Sequence, residues 1–202
     1  MKPQFEIKDN NLITAILKKV EYGSLALCKE NRPYCVPINY VYQDGAFYFH
    51  GAKKGKKMEF IEANAFASLS VVEPFSLIPS YFSSSENLAC PATHFFRSVT
   101  IDGEIEIVSD YNEKVTALQA LMEKLQPEGK YKHLSDEAYT KMIDATAVFK
   151  LIPHEIRGKI KLGQHLPKER FEMIVEHLQE RNNAIDSATI KEMKIFFNNK
   201  QE

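Results

Sequence analysis

The sequence contains no tryptophan, only three cysteines, and no marked excess of either charge. Cys28, Cys35 and Cys90 are an odd number, no Cys-x-x-Cys occurs, and Cys28 and Cys35 stand seven positions apart. That spacing fits no common metal site and points to a reduced, cytoplasmic protein. No run of about 18 apolar residues is present to span a bilayer, and the opening Met1-Lys2-Pro3-Gln4-Phe5-Glu6 lacks the apolar stretch of a signal peptide. No membrane role is expected. With 26 basic and 27 acidic side chains, net −1, the chain is not a globally basic nucleic-acid binder, so any anionic ligand must be met by a local site. Internal repeats and low-complexity tracts are missing as well.

What is present is ordinary for a soluble globular protein: 44% hydrophobic and 26% charged residues over 202 positions, enough for one core with an appendage. Asp9 is placed to cap a helix that puts Leu12, Ile13, Ile16, Leu17 and Val20 on one face. Two β-prone runs, 24–29 and 34–42, flank Glu30-Asn31-Arg32-Pro33, which reads as a hairpin loop. Asp44-Gly45 is a clearer tight turn leading to a strand over 46–50. A helix over 54–64, with Met58 and Ile61 one turn apart, precedes a strand over 67–72. Residues 73–92, with three prolines and Ser83-Ser84-Ser85, read as a long loop. The segment 95–108 is either one long strand or a hairpin broken near Asp102-Gly103. Asp110 then caps a helix carrying Val115, Leu118, Leu121, Met122 and Leu125, and Ser135 starts a shorter one through Ile143.

A strand over 146–152, with an extension over 156–162, ends the β-rich part. Residues 167–197 hold two amphipathic patterns: Phe171, Ile174, Val175 and Leu178, then Ile190, Met193, Ile195 and Phe197. The expectation is a mainly β, α+β fold: a six-stranded barrel with peripheral helices over 1–162. A C-terminal helical hairpin over 163–202 would pack on the barrel or on a partner subunit.

Chemistry concentrates in Phe47-Tyr48-Phe49-His50-Gly51-Ala52-Lys53-Lys54-Gly55-Lys56-Lys57, where a strand runs into a lysine-rich turn and then a helix. Free amides at a helix start, several ammonium groups and glycines that permit close approach make a seat for a phosphate. A solvated charge run is the plainer reading. A nucleotide P-loop is excluded, because three residues rather than four separate Gly51 from Gly55 and Lys57 stands where Ser or Thr is required.

The order Val36-Pro37-Ile38-Asn39-Tyr40, Asp44-Gly45, Phe47-Tyr48-Phe49-His50-Gly51-Ala52 and Gly55-Lys56-Lys57 resembles the flavin-binding core of the pyridoxamine-phosphate-oxidase-like split barrels. The pairing of His50 with Gly55-Lys56-Lys57 is similar to the family's nitroimidazole-resistance branch. Arg97-Ser98-Val99 and Asp102-Gly103-Glu104-Ile105-Glu106 resemble a later strand of the family, so the likeness covers roughly 12–162. It implies an FMN cofactor at the interface of a homodimer. The backbone of Pro37, Ile38, Asn39 and Tyr40 would border the flavin ring, and Phe49 and His50 would lie between ring and phosphate. Lys56 and Lys57, with Lys53, would hold the phosphate, and Ser98 would approach the ring or ribityl chain. The implied activity is an oxidoreductase acting on a small aromatic or nitro compound with NAD(P)H as donor, His50 being the one side chain placed to act on a ligand. The alternatives are a flavin- or heme-binding carrier or sensor without turnover, and a heme-degrading split barrel using His94 or a tail histidine.

Two departures separate the chain from the oxidases proper. Gly55 stands where they carry an arginine before the phosphate-binding lysine, and the absence of tryptophan removes their C-terminal substrate-binding pattern. Oxidation of pyridoxamine phosphate itself is not expected. Other features admit a structural reading beside a functional one. Cys90-Pro91-Ala92-Thr93-His94 has residue types suited to thiol or metal chemistry but no third partner. The apolar segment 74–82 fits either a lid or a packed loop, and Arg157-Gly158-Lys159 either a phosphate contact or surface charge. No metal site is expected.

Overall fold

In the computed structural model, which describes residues 2–84 and 88–198, a 3-10 turn (Pro3–Phe5) is followed by a short strand, β1 (Glu6–Ile7), and a helix, α1 (Asn10–Lys19). Ile13, Ile16 and Leu17 are buried on one face of α1, as their three-to-four spacing requires. Strands β2 (Tyr22–Lys29) and β3 (Arg32–Asn39) form a hairpin closed by Glu30 and Asn31, both at positive φ (51° and 62°). A two-residue turn of this hand matches the strand twist. The expected loop 30–33 is therefore shorter, since Arg32 and Pro33 pair with Lys29 and Cys28. Pro33 is tolerated there because β3 ends the sheet and needs no donor on its outer side.

The expected strand 34–42 is two strands, because β3 stops at Asn39 and β4 (Val41–Gln43) begins after Tyr40. Asp44 and Gly45, at φ 51° and 80°, turn the chain into β5 (Ala46–Ala52) as anticipated. Helix α2 (Lys56–Ala63) leads to β6 (Phe66–Ile78), which continues through an exposed Pro74. The loop expected from residue 73 thus starts only after Ile78, and Ser85 of its serine run lies outside the described residues. Strand β7 (Thr93–Ile107) is unbroken at Asp102-Gly103. Gly103 serves close approach instead of a turn, since a Cβ there would collide with the Ile152 carbonyl oxygen.

Asp110 caps α3 (Tyr111–Leu125) by accepting from the Glu113 amide at 2.7 Å. The helix expected from Ser135 is a 3-10 turn capped by Asp136, followed by α4 (Thr140–Ala145). The two strand pieces expected over 146–162 are one strand, β8 (Thr146–Lys161), and the tail forms α5 (Lys168–Arg181) and α6 (Asp186–Asn198). Eight strands are thus formed among the described residues, against the six expected. They join one open, largely antiparallel sheet in the order β3-β2-β6-β7-β8-β5-β4, with β1 on β8. With its helices this is the α+β split-barrel arrangement.

The chain divides into two compact units. The larger comprises Asn10–Val71 and Val99–Arg157. Its strand β5 is buried on both faces: Phe49 stacks on Phe149 at 5.0 Å on one side, while Ala46 and Tyr48 share a cluster with Val148 and with Ala117 and Leu121 of α3. Double coverage explains why β5 lacks the alternation of β2.

The other unit comprises Met1–Asp9, Val72–Ser98 and Gly158–Glu202. Within it α5 buries Phe171, Ile174, Val175 and Leu178 as its spacing foretold. In α6 Met193 is buried but Ile195 is 44% exposed, because two residues apart on a helix point to different sides. Polar groups anchor α6: buried Asp186 accepts from Ser76 Oγ (2.6 Å), Arg181 Nε (2.9 Å) and the Asn183 amide (2.8 Å). Arg97 is held between Glu73 (2.8 Å) and Glu192 (3.1 Å) and lies over the Phe75 ring.

Candidate functional site

The turn from β5 into α2 gathers the expected phosphate-seat residues. Gly55, at φ 108°, precedes the helix without a side-chain cap, and the first helical bond runs from the Glu59 amide to the Gly55 carbonyl. The amides of Lys56, Lys57 and Met58 therefore have no acceptor within the helix, and the helix dipole adds partial positive charge at the same place. Lys57 folds back across the turn and donates to the His50 carbonyl at 3.0 Å. Its ammonium stands 5.4 Å from the ring centres of Phe49 and Phe149.

Gly51 makes this placement possible, because a Cβ there would meet Lys57 Nζ at 2.6 Å. Burial lowers the Lys57 pKa below the usual lysine value. A charge held this way gains from an anion, which would restore the solvation it has lost. Burial on its protein side, with the Lys57 charge in support, likewise lowers the pKa of His50. The shift favours the neutral imidazole, which is able either to donate or to accept.

Lys56 is exposed and lies 4.5 Å above the Tyr34 ring, with Phe60 at 5.6 Å. This aromatic shelf brings the start of α2 beside β3. Pro37, Ile38 and Asn39 lie about 10 Å and more farther along that strand. Because β3 has one partner strand, its outer main-chain groups are open to a ligand. The Ile38 side chain is buried, and Asn39 Nδ2 donates to the Glu21 carbonyl at 3.3 Å.

Two expected residues contribute less than their sequence positions suggest. Phe49 gives its ring to the core, stacked on Phe149, so only its main chain is open at the turn. Tyr40 is fully buried, its hydroxyl donates to the Leu17 carbonyl at 3.0 Å, and burial pushes its pKa well above the usual phenol value. Its carbonyl already accepts from Lys124 Nζ at 3.0 Å.

The structure thus brings Lys57 onto the His50 carbonyl, with Lys56 next to it in the chain but resting on the Tyr34 ring. Lys53 is exposed on the preceding bend, and half-buried Ser98 belongs to the other unit, on β7. Tyr34 and Phe60 were missed by sequence reasoning, as was the room that Gly51 makes for Lys57. The aromatics bordering the lysines were the available signal.

The remaining candidates are occupied structurally. His94 Nε2 bonds the Phe75 carbonyl at 2.9 Å, and Arg157 pairs with Asp102. The apolar segment 74–82 is mixed: Phe75, Ile78 and Phe82 are buried, and Leu77 and Tyr81 are exposed. Among the described residues no group of three His, Cys, Asp or Glu side chains could hold a metal, and no helix is long and apolar enough to cross a membrane.

Comparison with solved structures places this fold among known ones. A 5-nitroimidazole antibiotic resistance protein candidate of Bacteroides thetaiotaomicron is 20% identical over 77% of this chain and 86% of its own, with a TM-score of 0.63. The flavocytochrome Anf3 of Azotobacter vinelandii is 23% identical over 78% of this chain and 69% of its own (TM-score 0.62). An FAD and heme binding protein of Mycobacterium smegmatis is 18% identical over 77% and 73% (TM-score 0.64). At these identities the likeness speaks for the fold. Comparison with curated proteins gave no match. The family model for pyridoxamine 5'-phosphate oxidase matches residues 9–160, three quarters of the sequence and nearly all the strands described above, and the chain belongs to that family.

Proposed function

We propose that the chain binds FMN and works as an FMN-dependent oxidoreductase on a small aromatic or nitro compound, as a cytoplasmic homodimer that completes the flavin site between subunits. The observation that carries this reading is the seat at the start of α2: three amides without helical acceptors, with the Lys57 ammonium drawn over Gly51. Such an arrangement fits a terminal phosphate. Lys56 and Lys57 would hold it, and the outer edge of β3 at Pro37, Ile38 and Asn39 would offer main-chain groups to the polar edge of the ring. The distance along β3 between the two regions is one that a ribityl chain is able to bridge. Family membership and similarity to a flavocytochrome and an FAD and heme binding protein support a flavin over other phosphorylated ligands.

A bound flavin supplies the electron or hydride chemistry. The residues of this chain bind and orient. His50 is placed to donate to or accept from a ligand beside the phosphate. Heme is less well served, because His94 is committed to the Phe75 carbonyl.

Lys56→Ala with Lys57→Ala tests the seat. Each lost charge-assisted contact costs about 1.5–3 kcal/mol, so FMN retention falls by well over tenfold while the melting profile shows a folded protein. Unchanged FMN affinity in the folded double variant refutes the placement. Turnover is tested separately. NADH or NADPH bleaches the bound flavin, and a nitroaromatic acceptor restores its absorbance catalytically; bleaching without acceptor-dependent turnover assigns a carrier instead.

A further inference from the structure

The unit formed by Met1–Asp9, Val72–Ser98 and Gly158–Glu202 contains a cavity of about 250 Å³ that the flavin seat does not use. Its lining is divided by chemistry. Ile78, Phe95 and Ile174, all fully buried residues, supply apolar surface, while Lys161 and Arg170 supply two cations. No carboxylate lines the cavity among the described residues, and among them neither cation lies within ion-pair distance of an acid.

Both cations are positioned by neutral groups instead. Arg170 donates through Nε to the Ser83 carbonyl at 3.0 Å and through Nη2 to Ser83 Oγ at 3.3 Å, and Lys161 donates to Thr93 Oγ1. These bonds orient the guanidinium without neutralising it, and they leave Nη1 for a further acceptor. Two positive charges lining one partly apolar cavity, with no counter-charge among the described residues, favour an anion between them. A planar guanidinium matches a carboxylate in particular, and the apolar lining suits a short hydrocarbon body attached to it. Lys161, Arg170 and Ile174 lie beyond the family match at residues 9–160, so both cations of the cavity stand outside the matched segment.

We propose that this cavity binds a small organic carboxylate, with Arg170 and Lys161 on the carboxylate and Ile78, Phe95 and Ile174 around its apolar body. The site is independent of the flavin reading. Cys90 lines the cavity and is exposed, which makes it a built-in reporter.

The test is peptide-resolved alkylation of the full chain with iodoacetamide, in the presence of benzoate, neutral benzamide or inorganic phosphate. Benzoate is expected to slow modification of Cys90 at least fivefold without affecting Cys28 or Cys35, and benzamide and phosphate to leave all three unchanged. Arg170→Gln and Lys161→Gln should each raise the benzoate concentration needed by about tenfold or more. If Arg170→Gln fails to fold once its Ser83 bonds are lost, Lys161→Gln carries the test. Protection by benzamide equal to that by benzoate, protection by phosphate in its place, or no protection of Cys90 overturns the proposal. So does protection that survives both variants.

Discussion

Gly51 decides where the Lys57 ammonium rests. A methyl group at that position would stand 2.6 Å from Nζ, so the lysine would have to leave its place over Phe49 and Phe149. Gly51 itself is not at positive φ, so alanine is compatible with the backbone there. We expect Gly51→Ala to keep the fold and to weaken FMN binding by about tenfold, the order of one misplaced charge-assisted contact, as read by calorimetry. An unaltered affinity would show that the slot has no part in binding. The lysines were legible in the sequence as a cluster beside a strand end. The role of Gly51 was not, because it depends on Phe149, which reaches the site only through β8 pairing with β5. The Tyr40 side chain was not legible in the same way: the motif suggests a ligand contact for its backbone only, and the ring is buried in the core.

At the scale of elements, signals that act through neighbouring residues were read correctly. Asp44-Gly45 turns β4 into β5, and Asp110 caps α3. The misreadings came from residues whose reason lies elsewhere in the fold. Glu30 rarely suggests a left-handed turn, and Pro74 suggests a loop although it sits exposed in a long strand; Asp102-Gly103 leaves a long strand and a hairpin both open, and the long strand forms because Gly103 makes room for β8. The anchoring of α6 belongs to the same class, since Ser76 and Asp186 meet across a long stretch of sequence.

Arg181 foremost, with Ser76 and the Asn183 amide, holds the Asp186 carboxyl down at about 2, below the ordinary 3.8. A carboxylate depressed in the folded state stabilises above its unfolded value and loses that contribution as pH falls from about 4 towards 2. Asp186→Ala should therefore lower stability by about 3 kcal/mol at pH 7, with the deficit shrinking over that acid window. Urea denaturation at pH 7 and at pH 3 measures both. A deficit that does not change with pH would mean the carboxylate charge is not what anchors the helix.

For the whole molecule, a net charge of −1 and an unremarkable composition excluded classes of function without choosing one. The choice came from a short stretch whose strand, glycines and lysines resemble a known family, and the family model spanning 9–160 agrees. The tail was legible as two helices. Its cavity was not, because Lys161, Arg170 and Phe95 come from separate elements. The central claim is that the start of α2 grips a phosphate. It is tested most directly by titrating the flavin-free chain into FMN and into riboflavin, which differs by lacking that phosphate, and following flavin fluorescence. Two charge-assisted contacts make FMN the tighter ligand by at least about 100-fold. Equal affinity for the two flavins would contradict the account.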